Sequence, residues 1–162
     1  MEERRRIEDM QKITPDGWTV FNSMEYKLIT TKKSWIVQQQ KCRSLGGHLA
    51  SIPNEETQNF LKDMMLQGGS GCHIGGRYHG TKWQWTDGTV WNYENWAENE
   101  PSEGGYDLLS RFVTVEINAP GDWAADGEWN DVGANDIKHA MCQREAGSVG
   151  YNKSKHRGKT SL

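Results

Sequence analysis

Between Glu94 and Asp136 the chain carries eleven carboxylates and a single basic residue, Arg111. Carboxylates at that density repel one another until a cation relieves them. Hard cations such as calcium take about six to eight oxygen ligands from carboxylates, amides, backbone carbonyls and water in a flexible shell. Two short groups inside the stretch set oxygen-bearing side chains beside a backbone-restricting or anchoring residue: Glu100-Pro101-Ser102 and Trp129-Asn130-Asp131. They form a candidate metal site. The competing reading of the same residues is a solvated acidic loop, the usual fate of a charge run.

Positioning such a site requires a scaffold, and the flanking sequence supplies one. Trp18, Val20 and Phe21, then Tyr26, Leu28 and Ile29, read as strand material ending at Thr30-Thr31. Ser34 is a helix cap, and the helix it opens runs to about Leu45, with Trp35, Cys42 and Leu45 near one face and Gly46-Gly47 as its stop. Ser51 to Asn54 starts a second helix, with Glu55 and Glu56 in its first turn and Phe60, Leu61, Met64 and Met65 as its apolar contribution. Gln67 to Gly71 reads as a glycine-rich loop. His73-Ile74-Gly75-Gly76 leads to Trp83-Gln84-Trp85-Thr86, and Asp87-Gly88 predicts a hairpin turn before Thr89-Val90-Trp91. The polar segment from Asn92 to Gly105 is too long for a plain connector, and such segments carry binding functions. Phe112 to Ile117 and Ile137 to Gln143 return to strand composition.

With 162 residues and a formal charge of -3, the chain fits one domain whose basic residues gather at the two ends. The predicted division is an N-terminal segment or neck remnant at 1–16, a folded domain at 17–146, and a basic tail at 147–162. A folded part that is acidic in its middle argues against a nucleic-acid partner. No run of apolar residues approaches the length needed to insert into a membrane, and Met1 to Lys12 lacks the apolar core of a secretory signal. Ile7, Met10 and Ile13 could begin an oligomerising neck. Of the three cysteines, Cys42, Cys72 and Cys142, at least one is left over if all bridges are internal.

Taken in order, Trp35 and Cys42, Leu45-Gly46-Gly47-His48-Leu49-Ala50, His73-Ile74-Gly75-Gly76, Trp83-Gln84-Trp85, Glu100-Pro101-Ser102, Trp129-Asn130-Asp131 and Met141-Cys142 resemble the C-type lectin-like domain family over roughly Gly17 to Glu145. The resemblance implies an α+β fold with two helices packed on small antiparallel sheets and a long calcium-binding loop region. It also implies a bridge between Cys42 and Cys142. Cys72 matches no family partner and reads as a small buried residue rather than a reactive thiol. The family's bridge across the long loop and the extra N-terminal bridge of its longer form both lack their cysteines here.

The resemblance further implies which residues hold Ca2+ and sugar: Glu100, Ser102, Asp107, Asn130 and Asp131 for both, with a cis bond before Pro101. Glu103 is a weaker candidate than Asp107. Glu100 favours mannose-, fucose- or glucose-type hydroxyl pairs over galactose, whereas Tyr106 either presents an aromatic face to a sugar or packs the loop. Ser102 departs from the mannose-type pattern, which has asparagine there; serine loses the amide carbonyl as a ligand and the amide N–H as a donor. Trp129 is implied to anchor the loop from below, and Trp83, Trp85, Trp91 and Trp96 read as core and hairpin residues.

Three function classes follow. A calcium-dependent module binding glycans or glycoproteins is the leading one. A lectin-like domain that binds a protein or mineral surface without reading sugar is the alternative, motivated by Ser102. An enzyme is disfavoured, because no nucleophile triad, phosphate loop or cofactor motif occurs in its expected context. The family implies an extracellular setting.

Overall fold

The computed structural model describes residues 12–102 and 111–147. The proposed neck stripe at Ile7 and Met10, the basic tail beyond Gly147, and Glu103, Tyr106 and Asp107 lie outside the described residues.

Local signals in the chain set both helices. Ser34 is extended and its side chain accepts from Val37 N, opening α1 (Trp35–Ser44); Gly46, at φ 89°, donates back to Arg43 O and ends it. Trp35, Gln38 and Cys42 form its buried face. Gln38 Nε2 donates to Thr31 O at 2.7 Å and Lys138 O at 2.8 Å, stitching the helix to two strands. Asn54 caps α2 (Glu55–Gly68) by accepting from Thr57 N at 2.9 Å, and Glu55 and Glu56 face the positive end of its dipole. This helix runs through Gln67 and Gly68, which the composition had assigned to a loop. Gly69, at φ 77°, is the residue in the left-handed conformation that stops it.

Among the described residues eight strands make one sheet: β1 (Thr19–Phe21), β2 (Met24–Lys33), β3 (His48–Leu49), β4 (Cys72–His79), β5 (Lys82–Trp85), β6 (Phe112–Val115), β7 (Trp129–Val132) and β8 (Lys138–Glu145). The order is β1-β2-β8-β4-β6-β7, with β3 on β8 and β5 on β4. The fold is α+β as expected, but the strands join into a single mixed sheet rather than separate antiparallel ones. The reason is β8, which pairs with β2 and β3 antiparallel and with β4 in parallel, through Cys72↔His139 and His73↔Ala140.

The hairpin differs from expectation as well. Its strands are β4 and β5, registered from Gly76↔Trp85 to His79↔Lys82, and the reversal falls at Gly80. Residues 89–91 form no strand. Asp87 instead spends its carboxylate on Thr89 N at 2.9 Å, Ser51 Oγ at 2.7 Å and Gln143 Nε2 at 2.6 Å. An aspartate that folds back onto the backbone two residues on makes a local turn without needing a strand on each side.

Packing explains most of the remaining signals. Phe21 stacks on Phe60 at 4.2 Å between the sheet and α2, and Trp35 stacks on Phe112 at 4.4 Å on the α1 side. Cys42 and Cys142 are bonded, with Cα atoms 5.3 Å apart, tying α1 to β8. Cys72 is a buried free thiol, and burial pushes its pKa far above the usual range, so it packs as an apolar residue. Gly47 lies so close to β8 that a Cβ on it would sit 2.0 Å from Gln143 O. Gly47→Ala must push β3 off β8 and should cost about 1–3 kcal/mol or more. Urea unfolding reads this directly, and wild-type stability in the variant would contradict the close approach.

Candidate functional site

Trp129 fixes the entry to the site. Fully buried on β7, its indole N–H donates to Gln58 Oε1 of α2 at 2.9 Å, and Trp85, Trp91 and Trp96 meet its ring edge to face at 5.6–5.8 Å. These tryptophans are packed residues, as the sequence suggested. Backbone bonds Trp129 N to Asn95 O at 2.8 Å and Ala97 N to Trp129 O at 2.9 Å hold the chain entering Glu98 against β7. Glu100 N then donates to Ala97 O at 3.0 Å, and the Glu100–Pro101 bond is cis, as the family resemblance implied.

The two sequence groups meet at Ser102 and Asp131. Ser102 N and Ser102 Oγ donate to Asp131 Oδ1 at 3.1 and 3.2 Å across 29 residues of chain. Glu100 lies beside the same pair. Burial, and then the neighbouring Asp131 carboxyl, raises its pKa above the ordinary carboxylate value. Its Oε1 is buried with no hydrogen-bond partner among the described residues. Ser102, Asn130 and Asp131 border a cleft of about 390 Å³ that Glu116, Trp123 and Lys138 also line. Glu116 accepts from Thr114 Oγ1 at 2.9 Å and faces Lys138 Nζ at 3.8 Å. Four of the five predicted site residues thus come together, and Asp107 lies outside the described residues.

Arg111, immediately before β6, is the member that motif reading missed. It is 1% exposed, and its Nη2 donates to Asp131 Oδ2, to Asp131 O at 3.3 Å and to Ser102 Oγ at 3.4 Å. Both ends of the ion pair are buried. The signal was available in the sequence: one basic residue among eleven carboxylates.

This arrangement tests the fit of calcium. The ion needs several oxygens with free lone pairs converging on one point. Here both Asp131 carboxylate oxygens, its backbone carbonyl and the Ser102 hydroxyl all receive N–H or O–H donors, and a guanidinium charge stands where they converge. A divalent cation would have to displace that charge. Among the described residues no group of three His, Cys, Asp or Glu side chains is gathered for a metal. The described residues, as arranged, do not fit calcium.

Behind the site, His73 is buried and its ring Nε2 donates to Asp136 O at 3.1 Å. Burial lowers its pKa to about 4. The unfolded chain therefore binds a proton that the folded one does not between roughly pH 6.5 and 4, so stability is full above this window and falls as pH drops through it. The loss is on the order of 3 kcal/mol. In His73→Leu the slope of melting temperature against pH across this window should flatten, and an unaltered slope would remove His73 as its source.

The family model described as "Lectin C-type domain" matches residues 31–144. Ladderlectin of Oncorhynchus mykiss is 32% identical over 123 residues, covering 73% of this chain and 60% of its own length, so the chain spans less than two thirds of that relative. A structure described as a calcium-independent type II antifreeze protein superposes with a TM-score of 0.68 at 27% identity, over 82% of this chain and 95% of the other. The cow C-type carbohydrate-recognition domain of CD23, crystallised in the presence of a GlcNAc2Man3 oligosaccharide, gives a TM-score of 0.68 at 27% identity, over 82% and 96%. These relatives are lectins and lectin-like proteins, not enzymes.

Proposed function

Since the chain belongs to the C-type lectin domain family, we propose that it is a non-catalytic carbohydrate-binding module whose ligand face is the cleft beside Glu100, Ser102, Asn130 and Asp131. The observation that supports this is the junction itself: the cis Glu100–Pro101 segment is bonded through Ser102 to Asp131, next to Asn130. A carboxylate and a carboxamide side by side can accept from and donate to adjacent sugar hydroxyls, which is the chemistry a glycan or glycoprotein partner needs. Glu100 favours mannose-, fucose- or glucose-type hydroxyl pairs over galactose. Calcium dependence, with Glu100, Ser102, Asp107, Asn130 and Asp131 as the ligand set, is the form of this reading that the Arg111 contacts oppose. The buried Cys42–Cys142 bridge supports an oxidising, extracellular setting.

A second reading has its own observation. Ser102 points its hydroxyl into Asp131 rather than outward, and a calcium-independent antifreeze protein shares the fold. Both favour a lectin-like surface that binds a protein or mineral face without reading sugar. Glycan-array binding of the wild type, with and without chelator, separates the readings. We expect signal on mannose-type glycans that Asn130→Ala and Glu100→Ala each lower about tenfold, the loss of about one hydrogen bond. No glycan signal in either condition rejects the sugar reading in favour of the surface one.

A further inference from the structure

We propose that the Arg111 guanidinium is the resident cation of this site, standing in the place where the family's metal would be held, so that the loop junction is set without calcium. The inference concerns the same site as the proposed glycan reading and rests on it for its functional meaning, though not for its test. Three observations carry it. The guanidinium is buried rather than lying on the surface, and it donates to Asp131 Oδ2, Asp131 O and Ser102 Oγ, three oxygens from both sequence groups. Ser102 in turn spends N–H and O–H on the remaining carboxylate oxygen, Asp131 Oδ1. Arg111 is the one basic residue in the sequence from Glu94 to Asp136, and the fold places its guanidinium inside the junction.

The chemistry distinguishes this arrangement from a metal site. A guanidinium is planar, keeps its charge at every physiological pH, and satisfies oxygens by directed N–H donation. Calcium satisfies them by coordination and requires them stripped of donors. The serine at 102 fits the first scheme: its short hydroxyl both donates to Asp131 and accepts from Arg111, which an amide reaching outward to a metal would not do. Arg111 is therefore a positioning residue. It aligns Ser102 and Asp131 and does so independently of metal supply, and the ligand face presents hydroxyl-matching groups without an ion at its centre.

The test is thermal unfolding of the wild type and of Arg111→Met, each in excess calcium and in chelator. A site holding calcium at a hundredfold its dissociation constant would raise the wild-type midpoint by about 10 °C. We expect the wild-type midpoint to be the same in both conditions. Arg111→Met should melt lower than wild type in chelator and should acquire a calcium-dependent rise, because the oxygens released by the guanidinium become open to an ion. That acquired dependence is a readout that a purely structural arginine would not move. Calcium stabilisation of the wild type overturns the inference whether or not the variant folds, and so does a folded Arg111→Met that is indifferent to calcium. A negative glycan array rejects the sugar reading and leaves these outcomes unchanged, so the two failures are separable.

Discussion

Replacing both bridge cysteines, as Cys42→Ser/Cys142→Ser, should lower the free energy of unfolding by up to about 4.7 kcal/mol, the chain-entropy value for a loop of about 100 residues. The separation of these two cysteines is 100 residues, so the bond closes most of the folded chain into one loop. Its effect on the unfolded ensemble is correspondingly large, because longer closed loops remove more conformational freedom. The native state adds to the loss. Both sulfurs lie in a fully buried cluster with Trp35, Leu49 and Ala140, and two serine hydroxyls there would lack ready partners. Cys72 gives no substitute, being a buried thiol on β4 whose pKa is raised far above the range in which it would react. Equilibrium urea unfolding, with the m-value compared between variants, is the measurement. A shift in midpoint worth less than about 1 kcal/mol would mean that the sheet and helices hold the ends together without the bond.

The scaffold was legible where local chemistry and tertiary placement agree. Ser34 and Asn54 cap helices because an extended residue with a short oxygen-bearing side chain can satisfy the first free N–H groups wherever it stands. Trp129 was legible as an anchor through the family resemblance of Trp129-Asn130-Asp131, whereas an acidic setting alone does not bury a tryptophan: Trp123, beside Asp122, is 41% exposed. The hairpin was misread because Asp87-Gly88 is a strong local turn signal, yet Asp87 is recruited by Ser51 and Gln143, residues 36 and 56 positions away. Pairing of β4 with β8 in parallel was likewise invisible, since nothing in either segment encodes which neighbour it meets. At the site, motif order located Glu100, Ser102, Asn130 and Asp131, but it described them by what such residues hold elsewhere. What this chain places among them depends on Arg111, twenty residues from Asp131, and a lone arginine in an acidic stretch indicates a charge to be neutralised without naming its partner.

That partnership gives the other large expected effect. Asp131→Ala, measured in chelator, should cost about 3–5 kcal/mol of stability, the range found when one member of a buried ion pair is removed. The pair is buried on both sides, with side-chain exposures of 2% for Arg111 and 0% for Asp131, so solvent does little to screen or replace the interaction. Ser102 N and Oγ lose their acceptor in the same step. Asp131→Asn separates the two contributions: it keeps a carbonyl oxygen for Ser102 while removing the charge that faces the guanidinium, and should recover only part of the loss. Arg111→Met/Asp131→Leu should recover more, since a buried pair is commonly replaceable by apolar groups of similar volume. A metal-site account predicts the opposite sign. With Asp131 as a calcium ligand crowded against Glu100, removing its carboxylate in chelator relieves repulsion between like charges, and Asp131→Ala would then be neutral or stabilising. The sign of that one free-energy change, read from urea unfolding without any metal present, therefore decides whether Asp131 is held by the protein's own cation or is waiting for an external one.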